Sequence, residues 1–566
     1  MSVPTKPSEM PWLESYPEHV DWAVPITDEP LTATFDRAVE RYGARSCIDF
    51  LGKTYSYRQV GELVDRAAKG FQALGVGRGV QVGMLLPNTP YFVICYYAVL
   101  KAGGTVVNFN PLYVEEEIAR QIEDSGTRIM VTLDLRILLP KVSATLERTG
   151  LKRVVVCPMA DILPFPKNIL FTLFKRGETA GVPRDGRHLR FAELTANDGA
   201  FEPVEIRPRE DIAVLQYTGG TTGVPKGAML THANVAANAH QVELWNPDAA
   251  VGEWRILGIL PLFHVLAMTA VMNIGIRVGA ELILRPRYEL EDTLEVIHEK
   301  RPTYFVGVPT IYNAINHHPR LDRYDLSSLK VCISGGAALP LEVKRAFEAL
   351  TGCHLLEGYG LSETSPAATC NPRVGETKDG SIGLPFPGTV IEIHDLEEPG
   401  RKLPPGERGE VCIRGPQVMA GYWNRPEATA EAIVDGALRT GDVGYMDEDG
   451  HTFLVDRIKD LIICSGYNVY PRVLEEAIYR HEAVAEVTVI GVPDDYRGEA
   501  PKAFVRLKEH MTLTAAELLS FLEDKLSKIE MPEEIEFRAE LPKTQIGKLS
   551  KKELVAEELA KREAGN

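Results

Sequence analysis

Paired cysteines and a secretion signal are missing from this 566-residue sequence. Its cysteines include no CxxC pair and no histidine-rich neighbour at metal-ligand spacing; they stand at positions 47, 95, 157, 332, 353, 370, 412 and 464. This pattern is typical of reduced, mostly buried thiols in a cytosolic protein, and it argues against a metal site built on cysteine. The opening residues, MSVPTKPSEMPWLES, lack a basic stretch followed by an apolar one, so we expect no secretion.

Positive charge is also scarce. The chain has 62 Lys and Arg against 79 Asp and Glu, which gives a formal net charge of −17. A general nucleic-acid binder needs a basic face to neutralise phosphates, so we expect no nucleic-acid partner. Any anionic ligand must therefore meet donors that are arranged locally.

A membrane span is not expected either, although residues 256–276 carry no Lys, Arg, Asp or Glu. This stretch contains Pro261, His264 and Asn273. An early proline and polar side chains favour a loop that enters a buried helix over a lipid-facing helix.

Helical and strand patterns alternate along most of the chain, which is too long for one ordinary core. A helix pattern from Tyr57 precedes the short apolar runs VQVGMLLP and TVVNFNP, and similar runs recur through RIMVTL, RVVVCP, ELILRP, TYFVGVP and KVCISGG. We predict an α/β protein whose large N-terminal body, residues 1–456, has several subdomains and parallel-rich sheets. Residues 457–566 predict a small α+β domain of ordinary size.

An apolar insertion occupies residues 158–177, with basic residues toward its end. It is too short to span a bilayer, but its apolar side chains could lie in a membrane interface with Lys167, Lys175 and Arg176 near headgroups. The alternative is a hairpin packed on its own domain. Both interpretations are left open here.

The stretch YTGGTTGVPKG, residues 217–227, combines four glycines and three threonines with one lysine. Successive backbone N–H groups without bulky side chains can form an anion nest, and glycines permit the positive φ angles that such a loop needs. Lys226 adds positive charge for phosphate. Because a plausible strand precedes it, the loop is a candidate triphosphate cradle, although it lacks the GxxxxGK[ST] spacing of the hydrolase P-loop.

The full stretch YTGGTTGVPKGAMLTH resembles the phosphate loop of the adenylate-forming superfamily, which comprises acyl-CoA synthetases, luciferases and adenylation domains. Five further motifs follow in that family's order: PLFH (261–264), EGYGLSET (357–364), RTGDVG (439–444), DRIKD (456–460) and PKTQIGK (542–548). The chain is most similar to bacterial long-chain fatty acid CoA ligases, because Gly219 stands where most relatives carry serine and because GSIGLPFPGT, GPQVMAGYW and SGYNVYP match that branch.

The resemblance implies roles for single residues. Thr218 and Glu363 would hold Mg²⁺, His264 would position the acyl carboxylate, and Lys548 would reach the α-phosphate from the small domain. The remaining implied contacts to ATP or CoA are Tyr217, Gly219, Gly220, Thr221, Thr222, Gly223, Lys226, Gly336, Ala337, Gly358, Tyr359, Gly360, Ser362, Asp442, Arg457 and Gly466. Tyr359 would face adenine, Asp442 would accept from ribose hydroxyls, and Lys459 would be the hinge.

The implied reaction converts a medium- or long-chain fatty acid and ATP to an acyl-adenylate and pyrophosphate, and CoA then takes the acyl group. The alternatives are a CoA ligase for aryl, short or branched acids, a ligase that loads a carrier protein, and an inactive lipid- or nucleotide-binding scaffold. An amino-acid adenylation domain is disfavoured because Phe263 and His264 replace its Phe-Asp pair and because we expect no carrier domain downstream. We expect a cytoplasmic location, with or without peripheral membrane contact, and leave a homodimer open.

Overall fold

Helices and strands alternate along the first half of the chain. The computed structural model describes residues 10–218, 225–246, 252–465, 467–494, 497–544 and 547–565. The first helices are α1 (Leu31–Tyr42), α2 (Tyr57–Ala73), α3 (Pro90–Lys101), α4 (Glu115–Ser125), α5 (Leu139–Thr145), α6 (Lys167–Phe174) and α7 (Phe191–Leu194). The first strands are β1 (Ser46–Phe50), β2 (Lys53–Ser56), β3 (Gln81–Leu85), β4 (Thr105–Asn108), β5 (Ile129–Leu133), β6 (Arg153–Cys157), β7 (His188–Arg190), β8 (Ile212–Thr218) and β9 (Lys226–Thr231).

The alternation continues to residue 385. The helices there are α8 (His232–Trp245), α9 (Val265–Ala267), α10 (Ile274–Val278), α11 (Leu290–Lys300), α12 (Pro309–Asn316) and α13 (Leu341–Thr351). The strands are β10 (Arg255–Gly258), β11 (Glu281–Leu284), β12 (Tyr304–Gly307), β13 (Val331–Ser334), β14 (His354–Gly360), β15 (Ala367–Cys370) and β16 (Leu384–Pro385).

Sequence patterns explain individual elements of this body. Helix α2 begins at a capping box in which the Ser56 hydroxyl accepts from the Gln59 backbone N–H and the Gln59 side chain accepts from the Ser56 N–H. Its apolar stripe, including Val60, Val64 and Phe71, is fully buried. Helix α3 is buried on every face, as a helix that is apolar all round must be.

Two parallel-rich sheets form the large body, which confirms the predicted fold class. One has the strand order β7-β6-β5-β3-β4-β8-β9, and the other has the order β16-β15-β14-β13-β12-β10-β11-β1-β2. Strands β12, β13 and β14 pair in parallel, so their carboxyl ends meet at one edge of the second sheet. Ligand sites of open α/β sheets lie at such edges, and the predicted motif EGYGLSET begins within β14 at this edge.

A third sheet, which our sequence analysis does not separate from the body, follows residue 389. It is antiparallel and consists of β17 (Val390–His394), β18 (Gly409–Arg414), β19 (Ile433–Val434), β20 (Ala437–Met446) and β21 (Thr452–Arg457), with helix α14 (Pro426–Ala432) beside it. Its strands carry Asp442 and Arg457, so this sheet supplies the third side of the predicted nucleotide site.

The last hundred residues form the predicted α+β unit. Its strands are β22 (Ile462–Cys464), β23 (Tyr467–Val469), β24 (Val484–Asp494), β25 (Gly498–Leu507) and β26 (Glu534–Phe537), and its helices are α15 (Pro471–Tyr479), α16 (Ala515–Leu522) and α17 (Lys551–Gly565). Helix α17 was not predicted from the sequence. The apolar core of this unit runs from Ile462 to Leu526 and is separate from the core of the large body.

The uncharged stretch 256–276 is a strand, a loop and a buried helix, as predicted. It comprises β10, the loop with Pro261, and helix α9, which continues through a π-helical turn (Met268–Asn273) into α10. None of the helices in the described ranges combines the length and apolar character that a bilayer crossing requires. The eight cysteines are all free and buried.

The insertion 158–177 divides into a buried and an exposed half. Ile162 and Leu163 are buried, which agrees with packing on its own domain. From Phe165 onward most of the larger apolar residues are exposed, Phe165 and Phe174 to 79% and 78%, whereas Phe171 packs against the core. Helix α6 therefore presents an apolar surface to its surroundings, whereas the hairpin interpretation accounts only for the first half.

Candidate active site

One cleft brings the predicted site residues together. It has a volume of about 2230 Å³ and lies where the two parallel-rich sheets, the antiparallel sheet and the small unit meet. Every predicted site residue within the described ranges lines it: Tyr217, Thr218, Lys226, His264, Gly336, Ala337, Gly358, Tyr359, Gly360, Ser362, Glu363, Asp442, Arg457 and Lys548. Gly219, Gly220, Thr221, Thr222, Gly223 and Gly466 lie outside the described residues.

The glycine-rich loop joins two antiparallel strands. Thr218 at the end of β8 is paired with Lys226 at the start of β9, and the Thr218 hydroxyl lies 3.5 Å from the Lys226 carbonyl oxygen. The segment between them connects two strands and does not join a strand to a helix. A phosphate bound there would meet backbone N–H groups and side chains without a helix dipole behind them.

Tyr422 contacts residues at two ends of the candidate phosphate site. Its ring lies under the Lys226 ammonium, with Nζ 5.2 Å from the ring centroid, and its hydroxyl donates to Glu363 Oε1 at 2.7 Å. Burial and the neighbouring Glu363 carboxylate raise the pKa of Tyr422, so the hydroxyl keeps its proton and remains a donor. The sequence analysis quoted the motif with Tyr422 but assigned this residue no role.

The oxygen donors of Thr218 and Glu363 fit a hard cation. Tyr422 occupies one oxygen of Glu363, and a carboxylate has further lone pairs for Mg²⁺. Within the described part of the chain, His, Cys, Asp and Glu side chains do not gather in groups of three that could hold a metal alone. A Mg²⁺ held by Thr218 and Glu363 would take its other ligands from phosphate oxygens and water.

A chain of polar groups connects the predicted adenine and ribose contacts. The Tyr359 hydroxyl donates to Asp442 Oδ2 at 2.5 Å, and Arg457 Nε donates to Asp442 Oδ1 at 2.8 Å. Burial raises the pKa of Asp442, and Arg457 opposes that shift. Each carboxylate oxygen retains a lone pair, so Asp442 can still accept from ribose hydroxyls while Tyr359 and Arg457 fix its orientation.

His264 is held as a neutral side chain. Its Nδ1 accepts from the Leu266 backbone N–H at 3.3 Å, at the start of α9. Burial lowers the pKa of His264 to about 3, and the positive charge of Lys548 adds to this shift. The remaining proton therefore sits on Nε2, which can donate a hydrogen bond to a carboxylate oxygen.

Lys548 enters the cleft from the small unit and lies against the loop after β13. A Cβ at Gly336 would be 2.7 Å from Lys548 Cε and 3.2 Å from its Nζ, so the lysine passes over bare backbone. Burial and the charge of Arg457 lower the pKa of Lys548 to about 8, against the opposing effect of Asp442. Cations thus converge here, as expected for a site that takes an anion.

The cleft also has an apolar part, which we call the apolar arm. Its lining includes Val242, Trp245, Val265, Ala270, Tyr304, Ile333, Cys370, Ile382 and Phe386. Val265 and Ala270 come from the uncharged stretch 256–276, where the sequence analysis assigns a role to His264 but to neither of them.

Three further residues support the site and were not found from the sequence. Asp124 at the end of α4 accepts from the Tyr217 hydroxyl at 2.6 Å and from Arg425 Nη2 at 2.5 Å. Gln216, just before the loop, donates to the Phe263 carbonyl beside His264 at 3.1 Å. These contacts join residues far apart in the chain, and no local sequence pattern predicts them.

The geometry of the cleft agrees with the matches of the chain to known protein families. A family model described as AMP-binding enzyme matches residues 35–423, and one described as AMP-binding enzyme C-terminal domain matches residues 473–548. The chain therefore belongs to the AMP-binding enzyme family.

Within this family, the chain is similar to several CoA ligases. The chain is 45% identical to a long-chain-fatty-acid–CoA ligase of Bacillus subtilis, over 97% of this chain and 98% of the relative. It is 37% identical to a protein of the same name from Salmonella typhimurium, over 96% and 97%. Among solved structures, it resembles an anthranilate CoA ligase in complex with anthranoyl-AMP, with TM-score 0.84, 26% identity and coverage of 96% and 100%. ATP-bound MatB from Rhodopseudomonas palustris has TM-score 0.81, 28% identity and coverage of 93% and 98%.

Proposed function

We propose that this protein is an AMP-forming ligase that activates a medium- or long-chain fatty acid with ATP and transfers the acyl group to CoA. The observation that carries the proposal is the single cleft in which the candidate phosphate, ribose and carboxylate contacts meet Lys548 beside an apolar arm. The names of the relatives support the long-chain substrate. The apolar arm favours a fatty acid over an acid with a polar tail.

The first step needs no general base, because a fatty acid is already ionised at neutral pH. What opposes attack on the α-phosphate is repulsion between anions, so catalysis depends on positioning and on positive charge. In this proposal Lys548 neutralises charge at the α-phosphate, Lys226 binds the outer phosphates, and His264 Nε2 orients the acyl carboxylate. Thr218 and Glu363 would hold Mg²⁺, whose positive charge would stabilise the pyrophosphate as it leaves.

The second step requires Lys548 to leave the cleft. In this proposal CoA approaches the carbonyl carbon of the acyl-adenylate from the side that Lys548 occupies during the first step. We propose a large domain of residues 1–456 and a small domain of residues 457–566 that turns about Lys459, which is exposed between β21 and β22. The turn would present Gly466 to the pantetheine arm and exclude water from the adenylate.

A ladder of acids from acetate to oleate tests the substrate. We expect AMP and acyl-CoA to form from ATP, CoA and fatty acids of six or more carbons. The absence of turnover with every such acid would refute the proposal, and a maximum at aryl acids would move it to another CoA ligase. Acyl transfer to a carrier protein in place of CoA would favour the carrier-loading alternative.

The two-step account has its own test. Lys548→Ala should lose adenylation, measured as ATP–pyrophosphate exchange, but should still make thioester from supplied acyl-adenylate. Equal loss of both half-reactions would contradict two arrangements of the small domain. A homodimer stays a prediction that light scattering can check.

We also propose that the exposed half of the insertion touches membranes from the cytoplasmic side. Phe165, Leu173 and Phe174 are the most exposed apolar side chains of residues 158–177, and Lys167 and Arg176 flank them. The variant Phe165→Ser/Phe174→Ser should sediment less with anionic vesicles. A matched control is Leu350→Ser, which removes another exposed apolar side chain and should not change sedimentation. Equal sedimentation of all three proteins would refute this contact.

A further inference from the structure

The loop that carries Lys548 is shaped by its own backbone. Thr544 accepts from the Gly547 N–H through its carbonyl and from the Lys548 N–H through its hydroxyl, at 2.8 and 3.1 Å. Gly547 has φ +81, a conformation that other residues adopt at a cost. These bonds lie within the small unit, so they hold the shape of the loop but do not bring Lys548 into the cleft.

Helix α12 of the large body supplies a contact that holds Lys548 in the cleft. Thr310, in its first turn, donates its hydroxyl proton to the Gly547 carbonyl at 2.7 Å, one residue before Lys548. The fit is close, because a Cβ on Gly547 would lie 3.1 Å from Thr310 Oγ1 and 3.5 Å from Val308 Cγ2. The Thr310 hydroxyl therefore contacts the lysine loop at the residue just before Lys548.

A second donor stands on the same face of α12. Asn313 follows Thr310 by three residues, which places the two side chains one above the other on a helix. Its Nδ2 donates to the Ala485 carbonyl at 3.2 Å, at the start of β24 in the small unit. Both acceptors are backbone carbonyls, so α12 positions the main chain of the small unit at two separate points.

We propose that Thr310 and Asn313 are positioning residues for the adenylation step, which hold the small domain in the arrangement that places Lys548 over Gly336. This inference rests on the proposed role of Lys548. When the small domain turns away, both carbonyls leave α12 and bond to water, so the two side chains stabilise one arrangement selectively. A contact made in only one of two states shifts the equilibrium between them.

The test separates the two half-reactions. Thr310→Val keeps the shape of the side chain and removes the donor, and we expect it to slow ATP–pyrophosphate exchange about fivefold, the effect of one net hydrogen bond. Thioester formation from supplied acyl-adenylate and CoA should not fall, because that step uses the other arrangement. Thr310→Ser, which retains the hydroxyl, should restore exchange to within twofold of the unsubstituted protein.

Asn313→Leu gives a second, independent variant with the same expected split, should Thr310→Val fold poorly. Equal loss in both half-reactions would mean a merely structural role and would overturn the proposal, as would unchanged exchange in both variants. The variant Lys548→Ala, measured in the same assays, distinguishes failure of the proposed role of Lys548 from failure of the inference about Thr310 and Asn313. If that variant still adenylates, the proposed function of Lys548 fails; if it does not and Thr310→Val and Asn313→Leu behave like the unsubstituted protein, only the present inference fails.

Discussion

Substituting Gly336 by alanine should displace Lys548 while leaving the fold intact. Gly336 has φ +82, so an alanine there costs about 1–2 kcal/mol of conformational energy. The added methyl would also stand 2.7 Å from Lys548 Cε. Carbon atoms pack at about 3.5–4.0 Å, so the end of the lysine must move by about 1 Å.

Such a displacement has a large effect on the chemistry. A misplacement of about 1 Å in a catalytic arrangement costs about a hundredfold in rate, so we expect ATP–pyrophosphate exchange in Gly336→Ala to fall by that factor. Thioester formation from supplied acyl-adenylate should fall much less, because Lys548 has then left the cleft. Both half-reactions can be followed on the same preparation with oleate and oleoyl-adenylate.

A matched control isolates the contact with the lysine. Gly352, in the turn after α13, has φ +69, and a Cβ there would meet no atom within 4 Å. Gly352→Ala thus carries the same kind of backbone strain without the clash, and its thermal unfolding should resemble that of Gly336→Ala. If Gly336→Ala exchanged pyrophosphate at a rate within threefold of Gly352→Ala, the geometry argued for Lys548 would be wrong.

Three further predictions concern the same cleft. Because the lowered pKa of Lys548 is about 8, the protonated, active form dominates below that pH, and kcat/KM for adenylation should decline above it; Lys548→Arg, if active, should not show the decline. Tyr422→Phe keeps the ring under the lysine but removes the hydroxyl from Glu363, so Mn²⁺ binding to the ATP complex, measured by electron paramagnetic resonance, should weaken several-fold; unchanged binding would contradict this. Ala270→Phe fills part of the apolar arm, so the preferred acid should become shorter in a kcat/KM series; an unchanged preference would remove Ala270 from the acyl site.

The sequence predicted the members of the site but not the contacts that orient them. Gly336 and Glu363 follow β13 and β14, and parallel neighbours bring such ends to one edge of a sheet. The order of the strands does not predict the role of Tyr422, whose hydrogen bond to Glu363 spans 59 positions. Nor does it predict the role of Thr310, whose hydrogen bond to Gly547 spans 237 positions. Hydrogen bonds of this kind leave no periodicity, because each depends on one side chain.

The antiparallel sheet was missed although its strands carry a usable sequence pattern. In β17, Ile391 and Ile393 alternate with Glu392 and His394, and β18 alternates in the same way. Such alternation is typical of antiparallel strands and differs from the apolar runs of the parallel sheets that precede them. The turns, with glycines at 400, 406, 436 and 450 in the left-handed region, also distinguish hairpins from helical crossovers.

Charge within the cleft explains how an acidic protein offers a site to an anionic ligand. The chain as a whole carries −17, yet burial and the charge of Arg457 lower the pKa of Lys548, and burial and the charge of Lys548 lower the pKa of His264, which is neutral. Burial is the larger cause of both shifts, and the neighbouring positive charge adds to it. Asp442 opposes the shift of Lys548, and a bound anion would oppose it further. The cleft therefore favours an anion where Lys548 and Arg457 converge beside His264.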